Sequence, residues 1–154
     1  MFDIKLHEQN SQPVLSIRTR TSLQQLPNLI GQSYERIDKY MKEINVKPSD
    51  APFTAYYNLS MDDMDVEIGF PISGAVPGKD DITYHEFPPS KVVTAMYKGS
   101  YSGMEKTYEG IFKWIKEEGY TPTGVYFEYY YNSPDEVPEN ELLTKIVIPV
   151  QAVK

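Results

Sequence analysis

Apolar residues at Tyr34, Ile37, Met41 and Ile44, and again at Tyr108, Ile111 and Ile115, follow the i, i+3, i+7 spacing of a helix that buries one face. The spacing predicts helices over 34–43 and 108–117, the second stopped by Gly119. Other segments alternate with a period of two. Val14, Ser16 and Arg18 oppose Leu15, Ile17 and Thr19, and Val66, Ile68 and Phe70 oppose Asp65, Glu67 and Gly69, which predicts half-buried strands. On that pattern Glu67 faces solvent. Pro71 and Pro149 close their strands, because proline cannot donate to a ladder.

The two sets of elements are copies of one another. Ile4-Lys5-Leu6-His7-Glu8 recurs as Ile82-Thr83-Tyr84-His85-Glu86 at an offset of 78 (85 − 7), which also pairs Glu67–Ile72 with Lys145–Val150. Over the helices the offset is 74 (108 − 34), and six of the ten residues of 34–43 are identical to those of 108–117. The chain therefore reads as one domain, 1–154, built of two repeats at about 1–73 and 80–154 with a linker at about 74–79. Each repeat is a strand-helix-strand-strand type unit carrying a further leading strand. Together they give about eight mostly antiparallel strands and two main helices, an α+β fold with a pseudo-two-fold relation between the halves. A cleft between duplicated units is a favoured place for a ligand.

Composition narrows the chemistry. Of 154 residues none is cysteine, which removes disulfide scaffolds, thiolate metal sites and cysteine nucleophiles. A net charge of -7 without a basic run argues against direct nucleic-acid or membrane binding. The N-terminus lacks a secretory pattern and no apolar run approaches a span of about 20 residues, so a cytoplasmic protein is expected. His7 and His85 are repeat-related and have no cysteine or third imidazole with them, so no metal and no cofactor is expected. No Gly-x-Ser-x-Gly elbow supports serine catalysis, and Gly74-Ala75-Val76-Pro77-Gly78 lacks the lysine of a phosphate loop. Asp62-Asp63-Met64-Asp65 lacks the spacing, glycine and terminal glutamate of a calcium loop, and reads as a solvated turn.

What remains is an aromatic supply of 13 Tyr, 6 Phe and 1 Trp. Tyr126-Phe127-Glu128-Tyr129-Tyr130-Tyr131 sets an ionisable group within it: alternation places Tyr126, Glu128 and Tyr130 on one face. The corresponding strand of the first repeat carries Thr54 opposite Glu128 and Tyr56 opposite Tyr130, so one carboxylate enters the duplicated site. An acid among rings can serve as a general acid or base, can pair with a lipophilic cation aided by cation–π contact, or can stand on an open strand face as an ordinary surface charge. Tyr40 and Trp114 occupy equivalent helix positions, as pocket walls or as core, and Tyr97 and Tyr101 flank the entry to the second helix, where either hydroxyl could orient a ligand or give a proton.

Glu128-Tyr129-Tyr130-Tyr131-Asn132-Ser133-Pro134, continuing through Val137-Pro138-Glu139-Asn140-Glu141-Leu142 to Ile146-Val147-Ile148-Pro149-Val150, resembles the C-terminal pattern of the GyrI-like family, also called the AraC-type effector-binding domain. Asp65-Val66-Glu67-Ile68-Gly69-Phe70-Pro71, Tyr97-Lys98-Gly99-Ser100-Tyr101 and the second helix resemble it as well; Lys98-Gly99-Ser100-Tyr101 departs from the commoner glycine-proline-tyrosine. The resemblance implies fused strand-helix-strand-strand units around a hydrophobic channel with an acid inside, and it also favours an acid at Glu67. It implies a stand-alone protein that binds or sequesters an amphipathic, cationic or aromatic drug-like molecule. Glu128, Tyr126, Tyr130, Tyr56, Tyr97, Tyr101, Trp114 and Tyr40 are the candidate ligand-binding residues. Two other readings stay open. One is a hydrolase of strained, cyclopropanoid electrophiles using Glu128 with Tyr97 or Tyr101 as catalytic residues. The other is a protein partner role toward gyrase or a separate regulator, since no helix-turn-helix length of chain flanks the domain. A monomer or weak dimer is expected.

Overall fold

A computed structural model describes residues 3–58, 60, 62–133 and 136–153; Pro134, within the C-terminal pattern, lies outside the described residues. In chain order the elements are β1 (Ile4–Gln9), β2 (Gln12–Thr21), α1 (Leu26–Glu43), β3 (Phe53–Tyr56), β4 (Met64–Pro71), β5 (Thr83–Phe87), β6 (Ser90–Lys98), α2 (Met104–Glu117), β7 (Tyr120–Pro122), β8 (Tyr126–Tyr130) and β9 (Leu143–Ala152). This is the expected α+β class, with nine strands among the described residues where about eight are predicted.

Two compact units divide the chain: Asn10–Pro89, and Met1–Gln9 with Ser90–Lys154. In the first, β2 pairs β5 on one edge and β4 on the other, and β4 pairs β3, all antiparallel. In the second, β9 pairs β6 along one edge and both β8 and β7 along the other, and β6 pairs β1, again all antiparallel. The sequence copies and the compact units thus divide the chain at different points. β1 leads the first copy yet pairs β6, and β5 leads the second copy yet pairs β2. Part of the reason is local: Pro88-Pro89 between β5 and β6 holds φ near −65°, whereas a two-residue hairpin turn needs a positive φ.

Both helices stop in the same way. Asn45 (φ 57°) and Gly119 (φ 86°) are left-handed residues 74 positions apart (119 − 45), the offset of the helix repeat. Each follows the helix end, where glycine and asparagine accept that conformation at least cost. α1 begins eight residues before its predicted start, because Pro27 is preorganised for the first turn and Leu26, Leu29 and Ile30 prolong the apolar stripe. After Gly119 the chain runs straight into β7 on the edge of β9, which accounts for the ninth strand.

α1 covers one face of its sheet through Ile37, Tyr40 and Met41 against Leu15, Ile17 and Ile72. α2 does the same through Met104, Ile111 and Ile115 against Val93, Ile146 and Ile148. The expectation of half-buried strands fails at the sheet centre: β2 is buried from Val14 through Ile17 and β4 from Val66 through Gly69. Glu67, expected in solvent, is 2% exposed. On the face turned from α1 a hydrogen-bonded cluster satisfies this charge, so alternation of residue types at the sheet centre marks a change of polarity and not of burial.

Candidate functional site

β8 presents Tyr126, Glu128 and Tyr130 on the face that carries α2, with Phe127 and Tyr129 buried on the other. Glu128 lies opposite Ile146 and Tyr130 opposite Thr144 in the pairing with β9. Both carboxylate oxygens accept phenol hydrogens. Tyr108 of α2 donates to Oε2 at 2.5 Å, and Tyr130 donates to Oε1 at 2.7 Å. Rings continue outward from this acid. Tyr101 meets Tyr130 edge to face at 6.0 Å, Tyr108 lies 5.9 Å from Phe112, and Phe112 meets Tyr126 edge to face at 5.7 Å. The Thr144 hydroxyl, 1% exposed, has no hydrogen-bond partner among the described residues. A buried hydroxyl left in that state costs about 1–3 kcal/mol, so a polar atom arriving beside Tyr130 would recover part of it.

The predicted residues divide between the units. Glu128, Tyr126, Tyr130 and Tyr101 share this neighbourhood. Tyr97 packs against the same core, but its hydroxyl donates to Ser100 O at 2.6 Å, and its ring lies over the turn where Gly99 (φ 139°) and Gly103 leave room for it. A Cβ on Gly103 would stand 2.4 Å from that hydroxyl, so Tyr97 holds the loop. Trp114 packs on the α2 core with no hydrogen bond or ring contact to Glu128 among the described residues. Tyr40 is a core residue of unit 10–89, its hydroxyl donating to Pro77 O at 2.6 Å. Tyr56, in the same unit, packs with Leu26, Met64, Val66 and Ile68.

Tyr108 is the contact that sequence reasoning assigned to the helix core. Its repeat counterpart Tyr34 donates to the Phe53 carbonyl at 3.1 Å, next to Thr54, where the first repeat lacks the acid. The signal lay in the alignment: the same helix tyrosine reaches the matching strand in both copies, and only the second strand offers a carboxylate. A surface cleft of about 380 Å³ beside Asn45, Lys47 and Ser73 contains none of the candidate residues.

Burial, and then the negative charge of Glu128, raise the Tyr101 phenol above its ordinary value. Glu128→Gln is therefore expected to lower the pH at which Tyr101 ionises while the burial effect remains. Ultraviolet titration of tyrosinate, with Tyr101→Phe to assign the phase, reads this directly; an unmoved Tyr101 would mean that the Glu128 charge does not reach it.

Among the described residues no three His, Asp or Glu side chains cluster to hold a metal, and no helix is long and apolar enough to cross a membrane. No curated protein matches the chain in sequence. In fold it is similar to the EcmrR C-terminal domain, at 23% identity over 99% of each chain and a TM-score of 0.83. Similarity extends to EcmrR in a DNA complex at 22% identity and a TM-score of 0.85, where 99% of this chain spans 58% of that one. A hydrolase from Listeria innocua (13% identity, 96% of this chain and 91% of that one, TM-score 0.71) and SAV2435 bound to tetraphenylphosphonium (14%, 97% and 94%, TM-score 0.65) share the architecture. The sequence profile of the GyrI-like small molecule binding domain matches residues 2–151, essentially the whole chain, and the protein belongs to that family.

Proposed function

We propose that the protein binds amphipathic aromatic cations at Glu128. The observation that carries this reading is a part-buried carboxylate held by Tyr108 and Tyr130 within a run of aromatic rings. The phenol donors orient the anion, and ring faces add cation–π attraction of about 0.5–2 kcal/mol each. A delocalised cation suits such a place better than a primary ammonium, because it gives up little hydration on entry and needs no hydrogen bond from an acid whose oxygens already accept two. SAV2435, of the same architecture, is bound to tetraphenylphosphonium. The net charge of -7 supports small-molecule rather than nucleic-acid contact by this domain. Sensing or sequestration in the cytoplasm, alone or beside a separate regulator, is the role this binding would serve.

Thermal-shift measurement with tetraphenylphosphonium tests the proposal. Stabilisation of about 2.7 kcal/mol is expected at a hundredfold excess over the dissociation constant. Neutral triphenylphosphine oxide should stabilise far less; equal shifts for both would remove charge from the account.

A second reading rests on the Tyr108 hydroxyl that donates to Glu128, a phenol and a carboxylate in direct hydrogen bond. With Glu128 as base and a tyrosine as acid, water could open a strained electrophile of the cyclopropanoid type. Turnover of such a compound by the wild type, lost in Glu128→Gln with binding kept, would establish that reading over simple binding.

A further inference from the structure

Unit 10–89 holds a buried carboxylate of its own, on the sheet face turned from α1. Glu67 on β4 accepts from Ser16 Oγ of β2 at 2.5 Å on Oε2 and from the Tyr57 hydroxyl at 2.5 Å on Oε1, and Oε2 is shared with Nε2 of His85 on β5. The register brings them together: β2 pairs β4 on one side and β5 on the other, so Ser16, Glu67 and His85 point to one face. Glu67 is 2% exposed, whereas the His85 side chain is 41% exposed and meets Phe87 edge to face at 4.9 Å. The acid lies behind and the imidazole opens outward.

That order has a chemical consequence. An anion that already accepts two O–H donors calls for an N–H from the imidazole, which places a proton on Nε2; in the neutral ring Nδ1 is then the acceptor. Nδ1 has no hydrogen-bond partner among the described residues. A histidine kept only to satisfy Glu67 has no need of an open acceptor, while a general base requires one, with a carboxylate fixing its tautomer from behind. Ser16 is wholly buried, so water and not Ser16 is the available nucleophile.

We propose that His85, oriented by Glu67, is a general base for hydrolysis of activated aryl esters. Nδ1 takes a proton from water as the water oxygen bonds to the carbonyl carbon and the C=O π pair moves to oxygen. Collapse of the tetrahedral intermediate breaks the bond to the aryl oxygen, which takes the proton back from Nδ1, giving carboxylic acid and phenol and restoring neutral His85. Glu67 is a positioning residue in this step.

The chain has two histidines, and His7 is exposed on β1 without a partner among the described residues, so it serves as an internal control. With 4-nitrophenyl acetate as probe, His85→Asn should lower the protein-dependent rate by roughly 10²–10⁴, and His7→Asn should leave it unchanged. Glu67→Gln should turn its amide N–H toward the ring, move the proton to Nδ1 and lower the rate as well. Nitrogen-15 imidazole spectra read the tautomer on the intact protein whether or not that variant folds. Nε2–H for His85 in the wild type is the expected result. Proton on Nδ1 in the wild type, or an undiminished rate in His85→Asn, would overturn the proposal.

Discussion

Glu128→Gln is expected to weaken tetraphenylphosphonium binding by about 5- to 150-fold, or 1–3 kcal/mol, while leaving a neutral isostere almost unaffected. The substitution keeps the shape of the side chain and one acceptor oxygen, so Tyr108 or Tyr130 keeps a partner. What it removes is the negative charge. Isothermal titration on wild type and variant measures the loss. Acid should imitate the substitution: a cation needs the ionised carboxylate, so its affinity falls as pH drops through the Glu128 titration in wild type and stays flat in Glu128→Gln. Under the hydrolase reading the variant would instead keep its affinity for a neutral electrophile and lose turnover by roughly 10²–10⁴. If neither binding nor turnover changes, the acid is not the functional group and a protein-partner role replaces both.

The largest effect on stability is expected at Gly69. A Cβ there would lie 2.2 Å from the Leu15 carbonyl oxygen and 2.8 Å from Ser16 Cβ, so β2 and β4 must separate to admit it. The obstacle is backbone, not the end of a flexible side chain. Gly69→Ala should therefore destabilise by about 1–3 kcal/mol or more, and at this chain length each kcal/mol lowers Tm by about 2–4 °C. Gly31, exposed on α1 with nothing within 4 Å of a Cβ, is the contrasting site. Gly31→Ala should stabilise by about 0.5–1 kcal/mol, because alanine loses less backbone entropy in a helix. Thermal melts of both variants check the pair; equal effects would contradict the close approach of the strands.

Periodicity and duplication carried the architecture. Apolar spacing located the two helices, and the 74-residue offset that aligns them also aligns their stops, Asn45 and Gly119. Such features are local: a helix stripe, a cap or a strand alternation is written in residues a few positions apart. The isolated acid of β8 was legible for the same reason, because strand alternation alone sets Glu128 between Tyr126 and Tyr130. What Glu128 bonds to was decided elsewhere. Tyr108 lies 20 residues away, and its reach depends on how α2 crosses the sheet. Tyr97 stands close in sequence to Tyr101 yet turns its hydroxyl to its own loop, a choice made by the room over Gly99 and Gly103. Glu67 marks the limit most plainly. In sequence it is a charge alternating with Val66 and Ile68, the mark of a solvent face. Three partners, from β2, from β5 and from just beyond β3, allow it to be buried, and only the pairing of strands far apart in the chain brings Ser16, Tyr57 and His85 to one carboxylate. Local pattern determines which elements form, whereas the burial of a charge depends on donors that tertiary structure alone assembles.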